Sequence, residues 1–245
     1  MKFRLLIPLA LLALVATSCM SLALNVMGIY KTDAEIRVVH NGKKTVAYIP
    51  MKHIGPKEFY ADVKHYVDSL QAEGYIVYME SVKVTDSLSQ AQKDTMKLKL
   101  RKLTGVTIRK EGYLDTLNHK LMGRNFKNKR GLINQPKYSL LGVDTTTARV
   151  VDVPMNALIK EYERRYGTIG LNDCDFCTPF EEKYKCNKEK HSRANEMILS
   201  YRNKNLADAI VADKHNKIAI LYGAAHFTGL VSDLKAIDST WTYVP

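Results

Sequence analysis

Several features that often guide the interpretation of a sequence are scarce here. The 245 residues include only 13 glycines, 7 prolines and one tryptophan. Low-complexity segments and internal repeats at the periods of solenoid proteins are absent from the sequence, which excludes both classes. Because 46% of the residues are hydrophobic and 25% are charged, the composition is that of a globular protein. The length suits one domain preceded by a leader.

Acidic residues are also few, with 25 Asp and Glu against 37 Lys and Arg and a formal net charge of +12. The lysines are spread over residues 93–110 and 120–130 and are not interleaved with aromatic residues as in nucleic-acid-binding motifs. We therefore expect no nucleic-acid partner. The basic surface has two interpretations, contact with anionic lipid head groups or a solvated surface without a partner.

The N-terminus has the pattern of an export signal. Lys2 and Arg4 precede the apolar run LLIPLALLALVATSC, which ends in small residues and Cys19. This run resembles the lipobox of bacterial lipoproteins, in which the cysteine is acylated and becomes the mature N-terminus. Ala16 departs from the leucine or valine usual at its position. We predict a signal peptide at residues 1–18 and lipidation of Cys19.

The segment after the leader is predicted to be a tether at residues 19–42, followed by a single domain at residues 43–245. An uncleaved anchor is the alternative, because CMSLALNVMGIY stays uncharged until Lys31 and about 20 apolar residues can span a bilayer. In either case we expect the domain to lie outside the cytoplasm. It would be attached to the membrane of a bacterial cell envelope and face the periplasm or the exterior.

Three cysteines, Cys174, Cys177 and Cys186, lie close together in LNDCDFCTPFEEKYKC. With His191 they could form a zinc site, although structural zinc sites usually have better-paired spacings. In an oxidising compartment a disulfide that closes a small loop is favoured instead. We predict one disulfide that involves Cys186 and leaves one free thiol. The acidic loop and the lack of a strand leading into it disfavour a thioredoxin-type motif.

Apolar periodicity predicts a strand, a helix and a second strand between residues 43 and 80. The first strand lies in KKTVAYIPMKHIG, the helix begins at Pro56 and stops at Gly74, and the strand YIVYMES ends at Glu80. The strands of such a βαβ unit are parallel, and we expect them to be adjacent.

The rest of the chain alternates between helical and apolar extended patterns. Helices are predicted at residues 86–103, 154–165, 192–213 and 231–237, strands at residues 218–222 and in the terminal TWTYV, and a helix with loops at residues 105–130. This order predicts an α/β fold with a mixed, mostly parallel central sheet flanked by helices on both faces.

Three predicted strands end in residues with reactive side chains: His53, Glu80 and His226, the last in KIAILYGAAHFTGL. Ligands of open α/β sheets bind outside the carboxyl ends of the strands. Two imidazoles and a carboxylate can hold a divalent metal with an open position for water. They can equally place a histidine general base beside a carboxylate without a metal. The small residues around His226 allow a sharp turn and close approach of a substrate.

These residues resemble the TraB/PrgY/GumN family, which includes the TIKI metalloproteases and is related to erythromycin esterase-like and ChaN-like proteins. YGAAHFTG is similar to the family's C-terminal Gly-x-x-His motif, and Glu80 in VYMES to its early glutamate. Arg202 and Asn203 in SYRNKNLADAIV match its helical R-N pair. The first motif, PMKH, keeps His53 but has Pro50 at the glycine position.

The resemblance implies an erythromycin esterase/ChaN-like fold and a hydrolytic site. His53 and His226 would bind a divalent metal of the Mn, Co or Zn type or position a water molecule, and Glu80 would be a metal ligand or the base. Arg202 would bind substrate or stabilise an oxyanion, since its guanidinium stays charged and offers a rigid fork of donors. A salt bridge from Arg202 to Glu80 is the alternative.

Three further residues are expected to contact substrate by the same resemblance: Asn203, Gly223 and Asp144, the last in a segment LGVD that matches the middle of these proteins. The implied function is an exported, membrane-anchored, metal-dependent hydrolase that acts on peptide or small amide and ester substrates. A non-catalytic, surface-attached binding lipoprotein that keeps the family fold is the alternative.

Overall fold

The structure, a computed structural model, describes residues 20–106 and 112–244. Its strands are β1 Arg37–His40, β2 Thr45–Met51, β3 Ile54–Gly55, β4 Ile76–Met79, β5 Leu114–Asp115, β6 Lys120–Leu121, β7 Arg124–Asn125, β8 Ile133–Asn134, β9 Arg149–Val150, β10 Lys217–Gly223 and β11 Thr242–Val244. The main sheet has the order β11-β1-β2-β10-β4-β9. Strands β2, β10, β4 and β9 are parallel, whereas β1 is antiparallel to both β2 and β11.

The helices are α1 Lys57–Ala72, α2 Gln90–Thr104, α3 Met155–Tyr166, α4 Asp173–Cys177, α5 His191–Asn195, α6 Arg202–Ala212 and α7 Phe227–Ile237. A π-helical segment, Glu196–Tyr201, joins α5 to α6. Across residues 20–106 and 112–244, no helix has the length and apolar character needed to cross a bilayer. The predicted signal peptide and Cys19 lie outside the described residues.

Helices cover both faces of the sheet, and alternation along β10 explains how. Ala219 and Leu221 belong to the core on the α1 side, with the α1 residues Phe59 and Val63. Tyr222 and the other alternate residues of β10 belong to the opposite core, to which α6 and α7 contribute. Successive side chains of a strand point to opposite faces, so a strand buried on both sides is apolar throughout. The prediction of a mixed, mostly parallel sheet with helices on both faces is confirmed.

Strands β2 and β4 are parallel as predicted, but the expectation that they are adjacent is wrong. Strand β10 lies between them and pairs with both, Tyr222 opposite Pro50 and Leu221 opposite Met79. Residues 218–222 are completely buried. Because this run is strongly apolar, the central position in the sheet removes the most apolar surface from water.

Residues 112–134 form neither a helix nor simple loops. They contain a three-stranded antiparallel meander, β5-β6-β7, and strand β8, which pairs with β3. The predicted helix within residues 105–130 is therefore absent from residues 112–130. Residues 20–26 are helical, and Leu24 packs with Leu114, Leu121 and Leu132 in a small separate core. We call residues 20–30 and 112–134 together the meander module.

The cysteine loop contains the predicted disulfide. Cys174 and Cys186 are bonded to each other, and Cys177 is free and exposed. Neither bonded sulfur can serve as a thiolate ligand, so the zinc alternative is not supported. The prediction that one bond involves Cys186 and leaves one thiol free is confirmed.

Candidate active site at the carboxyl edge of the sheet

The three parallel strands β2, β4 and β10 end at the same edge of the sheet, and each is followed by one of the predicted side chains. Glu80 comes directly after β4, His53 two residues after β2, and His226 three residues after β10. His226 is the last residue of a short 3-10 helix that leads the chain into α7. The structure therefore brings His53, Glu80 and His226 to one edge.

Arg202 lies at the centre of this edge and is 3% exposed. Its Nε donates to Asp152 Oδ1 at 2.8 Å, and its Nη2 donates to Asp152 Oδ2 at 2.6 Å and to Glu80 Oε1 at 2.7 Å. Its Nη1 lies 3.1 Å from His226 Nε2 and donates to the Ile198 carbonyl at 3.2 Å. A guanidinium has five N–H donors, and all five have a partner here.

These contacts bear on the predicted role of Arg202. A buried guanidinium whose donors are all engaged has none left for a substrate carbonyl or an oxyanion. The structure instead contains the alternative arrangement, a salt bridge from Arg202 to Glu80. Burial opposes the charge, but the carboxylates of Asp152 and Glu80 outweigh it and raise the pKa of Arg202 above its usual value. Arg202 is therefore a positioning residue that orients the groups around it.

Glu80 is held by both of its oxygens. Oε1 accepts from Arg202, and Oε2 accepts from the Gly223 backbone N–H at 2.7 Å. Burial alone would raise the pKa of Glu80, but the charge and hydrogen bonds of Arg202 and the Gly223 N–H bring it below its usual value. Glu80 is thus an ionised carboxylate in a fixed orientation. Its side chain is 13% exposed, so it is the member of the buried cluster that solvent can reach.

His226 is buried and has a partner on each ring nitrogen. Nε2 faces Arg202, and Nδ1 lies 2.6 Å from Asn203 Oδ1. Since Asn203 Oδ1 accepts and Arg202 donates, the imidazole is neutral with its proton on Nδ1. Burial lowers the pKa of His226 to about 4, and the positive charge of Arg202 acts in the same direction.

Two consecutive residues at the start of α6 contact the imidazole of His226. Arg202 and Asn203 are both buried and contact opposite nitrogens of His226. The π-helical segment Glu196–Tyr201 ends immediately before them, and such segments are frequent at functional sites, where they shift the helical register. Gly229 completes the packing, because a Cβ at this position would collide with the side-chain nitrogen of Asn203.

Asp152 was missed by the sequence reasoning, which selected Asp144 instead. Asp144 is exposed and accepts hydrogen bonds from Thr146 in its own turn. Asp152 follows β9, which is parallel to β4, and pairs with Arg202. The two valines before Asp152 resemble the apolar residues before Glu80, but they are too few to show the periodicity of a strand. Asp144 is therefore not part of this cluster, and Asp152 is.

Two of the predicted metal ligands already have other partners. Arg202 occupies a lone pair of Glu80 and the Nε2 lone pair of His226. Among residues 20–106 and 112–244, no group of three or more His, Cys, Asp and Glu side chains is arranged to hold a metal ion. A metal could reach Nε2 of His226 only after Arg202 withdrew. The donors as they are arranged do not fit a divalent ion.

His53 is the exposed member of the edge. Its ring lies 5.0 Å from that of Tyr113, and the Gln135 backbone N–H donates to its carbonyl at 2.9 Å. Burial raises the pKa of Tyr113, and the charge of Glu80 acts in the same direction, so Tyr113 stays a protonated donor. Sequence patterns gave no indication of Tyr113, because it belongs to the meander module and not to a strand of the main sheet.

The other predicted substrate contacts, Asn203 and Gly223, hold the cluster together. Asn203 is buried against His226, and Gly223 donates its N–H to Glu80.

A groove of about 630 Å³ lies elsewhere, against α1, and is lined by acidic residues such as Asp33 and Asp62 together with His65. Comparison of the chain with protein-family models, with curated proteins and with solved structures gives no match.

Proposed function

We propose that this protein is an exported, membrane-anchored hydrolase that acts on peptide or small amide and ester bonds. The observation that carries the proposal is the position of His53, Glu80 and His226 at one carboxyl edge of a parallel sheet, with Glu80 and His226 in contact with the buried Arg202. Such edges are the usual ligand sites of open α/β sheets. The same residues carry the resemblance to the TraB/PrgY/GumN family and to the erythromycin esterase/ChaN-like fold.

The arrangement favours a mechanism without a metal ligand at Glu80 or His226. The exposed imidazole of His53 accepts the proton of an attacking water as general base, and it returns this proton to the leaving amine or alcohol as the carbon–nitrogen or carbon–oxygen bond breaks. The fixed, ionised Glu80 at the same edge stabilises the imidazolium that forms. Tyr113, next to His53, donates to the carbonyl oxygen as negative charge develops on it. Arg202 and the Gly223 N–H keep Glu80 oriented and ionised.

Loss of the base tests the proposal. The full chain is assayed with fluorogenic peptides and nitrophenyl esters as wild type, as His53→Gln and as His65→Gln. We expect turnover to fall about 100-fold or more in His53→Gln, the usual range for removal of a general base. His65→Gln replaces an exposed histidine on α1 and should keep the wild-type rate.

A chelator distinguishes metal-free hydrolysis from metal-dependent hydrolysis. Turnover that persists in EDTA supports the metal-free mechanism. Turnover that disappears in EDTA and returns with Mn²⁺, Co²⁺ or Zn²⁺ would contradict it and restore the metal hypothesis. Metal content of the purified protein, wild type against His226→Ala, gives a second readout.

A binding lipoprotein without activity is the second candidate. It is favoured because every N–H donor of Arg202 and both ring nitrogens of His226 already have partners within the protein. The cluster is therefore rigid, and its hydrogen bonds are complete without a substrate. A correctly folded wild type that turns over none of these substrates, and equally stable His53→Gln protein, would support this candidate.

A further inference from the structure

We propose that the meander module is a docking surface for a bilayer that contains anionic lipids. The inference rests on the membrane-anchoring part of the proposed function and adds to it a second, non-covalent contact. It concerns residues 20–30 and 112–134, which share one small core around Leu24 and Leu121.

The first observation is the apolar surface that this module exposes. Leu117, at the tip of the β5–β6 hairpin, is 90% exposed. Leu22 and Val26, four residues apart on the helical turn of residues 20–26, are 63% and 80% exposed. Residues spaced by four lie on the same face of a helix. Apolar side chains that protrude in this way can enter the interfacial region of a bilayer.

The second observation is the charge around them. Between residues 112 and 134 the chain carries five basic residues and one acidic residue. Arg124, Lys127, Lys129 and Arg130 are exposed, whereas the acidic residue, Asp115, is buried. Clusters of basic residues next to a membrane segment bind anionic head groups. The exposed charge of the meander is therefore complementary to an anionic bilayer.

The third observation is the position of the module along the chain and in the fold. The apolar run of the predicted leader ends directly before residue 20, so the described chain starts beside the predicted anchor. The Arg130 guanidinium lies 4.3 Å from the Tyr30 ring centroid, which joins the basic segment to the lead-in. Apolar tips, positive charge and the anchor thus occur together in one unit.

Docking through this module would also orient the candidate active site. Strand β3 follows β2 at the carboxyl edge and pairs with β8, and His53 lies against Tyr113. The module is therefore attached to the same edge as the site. The docked protein would present His53 and Glu80 close to the lipid surface, where membrane-associated peptides or lipid-linked amides and esters are the accessible substrates.

Tryptophan quenching tests the docking. The native Trp241 is buried, so a second tryptophan reports on its own position. Full-length Leu117→Trp is reconstituted into phosphatidylcholine vesicles with brominated acyl chains, with or without phosphatidylglycerol. The matched control is Ile237→Trp. Ile237 is exposed at the end of α7, and the next residue, Asp238, accepts from Asn41 in the β1–β2 turn, at the opposite edge of the sheet.

We expect quenching of the new tryptophan in Leu117→Trp with phosphatidylglycerol, and none in Ile237→Trp. A variant of Leu117→Trp in which the four exposed basic residues are replaced by glutamine should lose the quenching, and added salt should reduce it. Equal quenching at both positions, or quenching at residue 117 that does not depend on phosphatidylglycerol, would overturn the proposal. If the protein co-sediments with vesicles but shows no quenching, the proposed docking surface is wrong and the proposed membrane anchor still stands. If the protein does not co-sediment with vesicles, both proposals are contradicted.

Discussion

Replacing Arg202 with methionine should destabilise the fold by about 3–5 kcal/mol at neutral pH. The guanidinium pairs with Asp152 at 2.6 Å and with Glu80 at 2.7 Å, and all three side chains are largely buried. Removing one partner of a buried ion pair leaves an uncompensated charge, which typically costs this amount. Because the whole free energy of unfolding of a domain is about 5–15 kcal/mol, the change is large.

The assay is urea unfolding with the disulfide intact, followed by circular dichroism and by the fluorescence of the buried Trp241. Arg164→Met is the matched control, because Arg164 also pairs with a glutamate at 2.7 Å but is mostly exposed. Exposed pairs contribute about 0–1 kcal/mol. Arg202→Lys keeps the positive charge but loses the forked guanidinium donors. Its destabilisation should therefore lie between those of Arg202→Met and Arg164→Met.

The pH dependence of the destabilisation shows whether it comes from the lost charge of Arg202 or from its lost packing. In the wild type the pKa of Glu80 is below its usual value of 4.5, so the stability it provides is present above that pH and is lost as the pH falls through the lowered pKa. Without Arg202 the burial of Glu80 raises the pKa of its carboxyl and favours the protonated form. The destabilisation of Arg202→Met should therefore shrink as the pH falls from neutral toward the usual pKa of a glutamate. A destabilisation that equals that of Arg164→Met, or that does not change with pH, would refute the reasoning.

Three other measurements address His226, the disulfide and the anchor. Folding lowers the pKa of His226 from 6.5 to about 4, so the stability that its neutral form provides is complete above pH 6.5 and is lost as the pH falls toward 4. The free energy of unfolding of the wild type should decrease by up to about 3 kcal/mol over this range. His226→Ala should not show this decrease. Alkylation without reductant should modify Cys177 alone within the domain, and reduction of the Cys174–Cys186 bond should cost about 3 kcal/mol in the chain-entropy model; three modified thiols would contradict the bond. A fatty-acid analogue should label the full chain, and label that survives Cys19→Ala would contradict the lipid anchor.

Local patterns predicted much of the fold because they depend on neighbouring residues. The apolar spacing between Pro56 and Gly74 predicted a helix, which the structure has at Lys57–Ala72. Gly74 has a φ of +85°, a backbone conformation that suits glycine and ends the helix. The parallel direction of β2 and β4 followed from the short helical connection between them.

The candidate site was predicted in part for the same reason. Glu80 and His226 follow apolar strands, and the carboxyl ends of parallel strands meet at one edge whatever the order of the strands. This is why the wrong expectation that β2 and β4 are adjacent did not misplace the site. Asp152 was missed because β9 contains only two residues, too few to give a periodic signal.

The sequence by itself determined which side chains end the strands and how the helices begin and end, since these depend on local spacing and backbone preference. Only the tertiary structure decided what those side chains do. The order of the strands and the position of α6 bring Asp152, Glu80 and His226 around one guanidinium. Whether a histidine at such an edge binds a metal or accepts a hydrogen bond depends on which cation lies next to its lone pair, and the packing of α6 against the end of β10 decides that neighbour.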